Sequence, residues 1–286
     1  MNNSVCYGGD TEPAVHHKSP VPREHGAWAM LLQPFLGAII VLRRFDWELI
    51  PAFAAVVLVF LIREPIVTLA RQRLVWRTER PETAVARRYL MIELALLAIA
   101  GAVLLFAWPV WILVALGGSA AALTALAVWM TVRNRQRAVW FQAVSAAGLA
   151  SSALAACLAV SLAIPAWAWW FWGLHAAHFL AAILVVHVRL EARIAARKSV
   201  AFAIPRDVLA VQWGFAVAGV ALIAIGKPLY GAAALLSSLS HLYDLRRLRS
   251  VNALSIPMKQ VGVHALMVSI AFTLLVIAGS FRGLLY

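Results

Sequence analysis

Charged and proline breaks divide the chain between residues 26 and 281 into nine apolar runs: roughly 26–42, 47–63, 89–107, 109–132, 138–163, 167–190, 206–225, 228–244 and 261–281. A bilayer core about 30 Å thick is crossed by about 20 helical residues rising 1.5 Å each. Most of these runs meet that length, while 26–42 and 228–244 are short and call for local thinning or anchoring at their flanks. Trp108–Pro109 forms a tight join between two runs, and proline suits the first turn of the second. Composition points the same way. Hydrophobic residues make up 63% of the 286 and charged ones 13%, against about 45–50% and about 25% in soluble domains. A soluble fold of this length could not bury so much apolar surface, which excludes a water-soluble enzyme or a DNA-binding protein. The expected fold is an all-α polytopic membrane protein with about nine transmembrane helices.

The net charge of +13 would suggest nucleic acid if it were spread over a surface. Instead it alternates with the runs. The basic clusters are Lys18 and Arg23, then Arg63 to Arg88, Arg133 to Arg137, Arg189 to Arg206, and Arg246 to Lys259. All fall on one side of a nine-helix topology, and of the 25 Lys and Arg only Arg43, Arg44, Lys227 and Arg282 fall on the other. The positive-inside rule then places the N-terminus in the cytoplasm and Tyr286 outside. A miscount by one helix would scramble the split. Trp47, Trp108, Trp111, Trp167, Trp169, Trp170, Trp172 and Tyr230 lie near the outer ends, as an aromatic belt would. The surplus charge is therefore read as topology, with attraction of anionic lipid to the inner face as a further use, and no nucleic-acid partner is expected.

Residues 1–22 lack an apolar periodic face and read as a disordered cytoplasmic tail. They do not have the build of a signal peptide. Residues 23–286 form a single transmembrane domain, with an amphipathic surface helix expected within 66–77. Cys6 in the tail and Cys157 in an apolar run support no disulfide, and no zinc spacing occurs.

Ionisable groups within spans are costly and point to function. His25, Glu64, Glu93, His187, Glu191, His241, Asp244 and His264 all lie in the cytoplasmic half of their runs. Their one-sidedness suggests a cavity open to the cytoplasm, although snorkelling or helix capping accounts for any single member. His175 and His178 lie deeper and share a face of the sixth run. His187, nine residues further on, points the opposite way, so the three cannot ligate one haem from a single helix. Interhelical hydrogen bonding suits the pair better, and no haem is expected. Small residues of the fifth run, among them Gly148, Ser151, Ser152 and Ala155, read as close helix packing. No phosphate loop, HExxH or GxSxG motif occurs.

The segment Arg23-Glu24-His25-Gly26-Ala27-Trp28-Ala29-Met30, with Gln33-Pro34-Phe35 and Gly37, resembles the opening signature of the YwiC-like family of bacterial membrane proteins. Glu64-Pro65 and Lys259 with Gly262 also fit that family's pattern. The family is distantly similar to the UbiA superfamily of intramembrane prenyltransferases, and this implies a nine-helix bundle with a cytoplasmic N-terminus and a cytoplasm-facing cavity. UbiA-type enzymes hold a prenyl diphosphate through magnesium on aspartate-rich motifs in the loops after helices 2 and 6. Here those stretches read Arg63-Glu64-Pro65-Ile66-Val67-Thr68-Leu69-Ala70-Arg71 and His187-Val188-Arg189-Leu190-Glu191-Ala192-Arg193, each with a single acid. Magnesium prefers several carboxylate oxygens, so neither it nor another metal is expected, and arginine could grip a phosphate directly.

The expectation is a UbiA-like bundle in the bacterial plasma membrane that binds an isoprenoid, quinone-like or lipid ligand. His25, Trp28, Glu64, Glu93, His187, Glu191, His241, Asp244 and His264 are the cavity candidates, with Arg63 and Arg71 for an anionic head group. Trp28 equally suits an interfacial anchor for the first helix. Divergent head-group transfer to a lipid, a secondary transporter with Glu93 and the histidines relaying protons, and an accessory subunit for respiratory metabolism remain open. No catalytic residue or oligomeric state follows from these residues.

Overall fold

The computed structural model describes residues 25–78, 82–248, 250 and 254–283. The tail 1–22 with Cys6, the basic residues Lys18, Arg23, Arg80 and Arg249, Tyr286, and the side chains of His25 and Arg282 lie outside the described residues.

Helix occupies each of the expected apolar runs. The order is α1 (His25–Leu42), α2 (Leu49–Arg71), α3 (Glu82–Leu104), α4 (Val110–Val132), α5 (Val139–Ala150), α6 (Ser152–Ser161), α7 (Ala166–Arg197), α8 (Arg206–Ala224), α9 (Pro228–Arg247) and α10 (Met258–Gly283). Six helical segments are long and apolar enough to cross a membrane: Leu49–Trp76, Val110–Val132, Val139–Ser161, Ala166–Arg197, Arg206–Ala224 and Met258–Phe281. The chain is therefore a multi-pass helical membrane protein. α1 is apolar but short. α3 carries Arg87, Arg88 and Glu93, and α9 carries three serines, His241 and Asp244, which lowers the hydropathy of both.

Two local features differ from the sequence reading. Residues 66–77 are not a separate surface helix, because α2 runs on through Arg71 and a π-helical turn, Gln72–Trp76. Pro65 sits within α2 without ending it. The chain breaks only at Arg77, in the left-handed region, so the connection to α3 is short. The fifth run is one span bent at Ser151, whose hydroxyl donates to the Gly148 carbonyl at 2.6 Å. A serine bonding back to its own helix is a known source of such bends.

α7, at 32 residues, is the centre of the bundle and packs on α1, α5, α6, α8, α9 and α10. Phe35, Phe171, Phe272 and the small residues Ala153, Ala156 and Ala168 form the main core where α1, α6, α7 and α10 meet. Ser152 on α6 donates to the Leu31 carbonyl of α1 at 2.7 Å, tying the bent span to the first helix. α3 and α4 are peripheral: α3 packs on α2, and α4 is exposed along nearly all of its apolar length.

The aromatic belt is thinner than expected. Trp47, Trp111, Trp169 and Trp170 are exposed. Trp108, Trp167 and Tyr230 are instead buried in the core. Trp172 turns inward and donates its indole N–H to the Ala147 carbonyl at 2.9 Å. Run position told how near an end each ring lies, but helix rotation decided which way it points.

Candidate functional site

A cleft of about 2760 Å³ opens between α1, α2, α4, α5–α6, α7 and the first half of α10, and reaches α3 at Leu94, Leu97 and Gly101. Its walls are mostly aliphatic. Its rim, at the end of the bundle that carries the basic loops, is charged. There α2 supplies Arg63, Glu64 and Arg71, and the α4–α5 connection supplies Arg133, Gln136 and Arg137. α5 adds Gln142, α7 adds His187 and α10 adds Lys259. Among the described residues, five basic side chains thus face one carboxylate around the entrance to an apolar space.

Local contacts set the rim. Arg71 reaches from α2 to the Thr131 carbonyl at the end of α4, 3.4 Å away. The Arg133 guanidinium lies over the Trp129 ring, 4.6 Å from its centroid, so its charge is held by a cation–π contact as α4 ends. The Gln142 amide donates to His187 Nδ1 at 2.7 Å, fixing the imidazole across the α5–α7 gap. Arg63 and Glu64 approach to 3.8 Å. α7 also positions the α10 side of the rim. Arg193 donates through Nε to the Leu254 carbonyl at 2.9 Å and through its terminal nitrogen to the Ile256 carbonyl, holding the segment just before Lys259.

The candidates read from sequence divide into separate groups. Arg63, Glu64, Arg71 and His187 share the cleft rim. Trp28 packs edge-on against Phe60, centroids 5.1 Å apart, and does not face the cleft. Glu93 is buried on α3, with Oε2 lacking a hydrogen-bond partner, just before the lining residue Leu94. Glu191 is exposed on the outer side of α7. His241, Asp244 and His264 gather with Arg189 around a crevice of about 20 Å³ between α7, α9 and α10, beside the cleft. His264 Nε2 lies 3.7 Å from Asp244 Oδ2. These candidates therefore divide between the cleft rim and an adjoining crevice, which shares Ala182 and Val186 of α7 and Val261 and Ala265 of α10 with the cleft wall.

Arg133, Arg137, Gln142 and Lys259 join the rim although sequence marked the basic ones as topology and passed over Gln142. The signal available was their place at run ends on the basic side. What was missing was the knowledge of which run ends meet.

A buried polar ladder runs through the centre. His175 Nδ1 donates to its own helix at the Phe171 carbonyl, 2.8 Å away, and Nε2 lies 3.2 Å from the Thr273 hydroxyl of α10. His178 Nδ1 shares a 2.7 Å hydrogen bond with Ser237 of α9. The interhelical bonding expected of these two histidines is thus present. Gln212 on α8 donates to the Ala181 carbonyl, and Ser238 donates to the Gln212 carbonyl.

The sequence pattern of the YwiC-like protein family matches residues 21–157, just under half of the chain. Over these residues the chain is similar to YwiC-like proteins. No curated protein and no solved structure matches the chain. The YwiC-like stretch supplies α1 to α5 and most of α6, and with them the Arg63, Arg71, Arg133 and Gln142 parts of the rim. His187 and Lys259, and the crevice on α9 and α10, lie beyond it.

The magnesium implied by a UbiA relationship can be tested against these groups. Among the described residues at the rim, Glu64 is the sole carboxylate beside five basic side chains, and no group of three described His, Cys, Asp or Glu is placed to hold a metal. The donor set does not fit a magnesium ion.

Proposed function

We propose that this YwiC-like protein is a nine-span protein of the bacterial plasma membrane, with its N-terminal end and basic rim in the cytoplasm and its C-terminus outside. In this reading the bundle is UbiA-like, and the cleft takes an amphiphile whose chain is isoprenoid, quinone-like or lipid. The supporting observation is the union of a large aliphatic cleft with a rim of Arg63, Arg71, Arg133, Arg137 and Lys259. An apolar chain gains by leaving water for such walls. An anionic head group gains most from several guanidinium donors in fixed positions. Any chemistry here would be head-group transfer to a lipid, with basic side chains in place of a metal to neutralise the departing charge.

The test is a native mass spectrum of the protein purified in mild detergent. A retained polyprenyl, quinone or lipid phosphate is expected, and Arg71→Ala and Arg133→Ala should each lower its occupancy. A bare protein mass under gentle conditions would overturn the reading.

One observation favours a second reading, a proton-coupled secondary transporter. Glu93 is a carboxylate on α3, a span in the nine-helix reading, and is buried with Oε2 unpartnered; such groups within spans often carry protons in transporters. Substrate-dependent proton uptake by vesicles, lost in Glu93→Gln, would establish it.

A further inference from the structure

The crevice between α7, α9 and α10 and the large cleft are joined by histidine. His178 lines the cleft about 13 Å deeper than His187, by the helical rise over nine residues. Its ring lies parallel to that of His241, centroids 5.8 Å apart and planes 12° from parallel. His178 Nδ1 bonds the Ser237 hydroxyl, and Ser237 precedes His241 by one turn on the same face of α9. His241 in turn lines the crevice, where its Nδ1 is buried with no hydrogen-bond partner. The outer edge of the crevice is the Asp244–His264 pair, with the His264 side chain about half exposed.

We infer that Asp244 and His264, His241, Ser237 and His178 form a proton path from cytoplasmic water to the deep end of the cleft. The path rests on the cavity reading above and further requires of the ligand an exchangeable hydroxyl, an alcohol or phenol, at the end that reaches His178 rather than the end held at the basic rim. A crevice of about 20 Å³ holds one water molecule. That water would meet His241 Nδ1, Asp244 and the crevice hydroxyl of Ser240. Imidazole and hydroxyl both donate and accept, so each step passes one proton along without moving an electron. The ligand O–H bond breaks, its electrons stay on the ligand oxygen, and the proton moves through His178 and Ser237 to His241. From there it leaves through the crevice water to the Asp244–His264 pair.

Every neighbouring element bears on these groups. α7 adds His175 and Arg189, α9 adds Asp244 and Arg247, α10 adds His264, and α8 presents the neutral amide of Gln212. Phe272 stacks on His178 at 4.2 Å and separates it from the His175–Thr273 pair, which leaves His175 off the path.

The probe is 4-heptadecyl-7-hydroxycoumarin, a phenol on a long alkyl chain, bound to the full chain in detergent. Tryptophan-sensitised emission reports binding, because Trp129 and Trp172 line the cleft. A stopped-flow pH jump then reports how fast the bound phenol exchanges its proton. Saturable binding is expected, with exchange slowed about tenfold or more by His241→Phe and also slowed by Asp244→Asn, at unchanged affinity. Asp244→Asn decides the matter should His241→Phe not fold. Binding with wild-type exchange rates in both variants would overturn the path alone. Absence of saturable binding would overturn the cavity reading for this ligand class and the path with it.

Discussion

Gly219 of α8 and Gly231 of α9 meet backbone to backbone: a Cβ on Gly231 would stand 2.4 Å from the Gly219 carbonyl oxygen and 2.5 Å from Ile223. Helices in lipid gain little from hydrophobicity when they associate, so close approach through small residues is what holds such a pair. Gly231→Leu is expected to force α8 and α9 apart and to cost about 1–3 kcal/mol, as overpacking does. Gly214→Ala on the open face of α8, where a Cβ meets nothing within 4 Å, should leave the protein near wild type. Thermal unfolding of the two variants in the same detergent distinguishes them, and equal midpoints would contradict the packing described.

The Gln142 amide donates to His187 at the rim across 2.7 Å. Gln142→Leu keeps the bulk and removes the donor. Binding of oleyl phosphate, measured by calorimetry, is expected to weaken a few-fold, whereas Arg133→Ala should weaken it about tenfold or more, in line with about 1.5–3 kcal/mol for bonds to charged groups. An unchanged affinity in Arg133→Ala would remove that guanidinium from the head-group site.

Arg193 restrains the segment before α10 through two carbonyls, those of Leu254 and Ile256. In Arg193→Ala, amide hydrogen exchange over 254–258 should accelerate while the centre of α7 remains protected. Exchange that rises equally in both regions would mean that Arg193 supports the helix rather than the segment.

Orientation is open to direct labelling. In a background of Cys6→Ser and Cys157→Ser, Ser199→Cys should react with a membrane-impermeant maleimide only from the cytoplasmic side. Phe106→Cys, at a fully outward position between α3 and α4, should react only from outside. Labelling of both from one face would overturn the proposed topology.

The helices were legible because bilayer thickness sets the length of an apolar run, and charge or proline marks its ends. Run ends read from sequence lie within a few residues of most helix ends in the structure, as at Leu42, Val132 and Ala224. α3 begins seven residues before its run, and α2 and α7 extend past theirs. Both continue past the last apolar residues into basic sequence, through Arg71 and Arg197, because a helix satisfies its own backbone whether or not its side chains are apolar. Part of the rim was legible too, since Arg63, Glu64, Arg71 and His187 stood out as polar groups at the basic end.

Sequence by itself determined that this chain is a helical membrane protein with its polar groups at one end. Hydrophobic run length and charge alternation are one-dimensional properties, and a bilayer reads them directly. Only the tertiary structure decided that those polar groups divide between the cleft rim and the crevice beside it. His187 and His241 both sit near the basic end, yet one lines the cleft and the other the adjoining crevice between α7, α9 and α10. That separation depends on how each helix is rotated against its neighbours, and packing such as Gly219 on Gly231, Phe171 on Gly37 and Ser152 on Leu31 sets the rotation. These contacts join residues far apart in the chain, and no local pattern along the sequence encodes them.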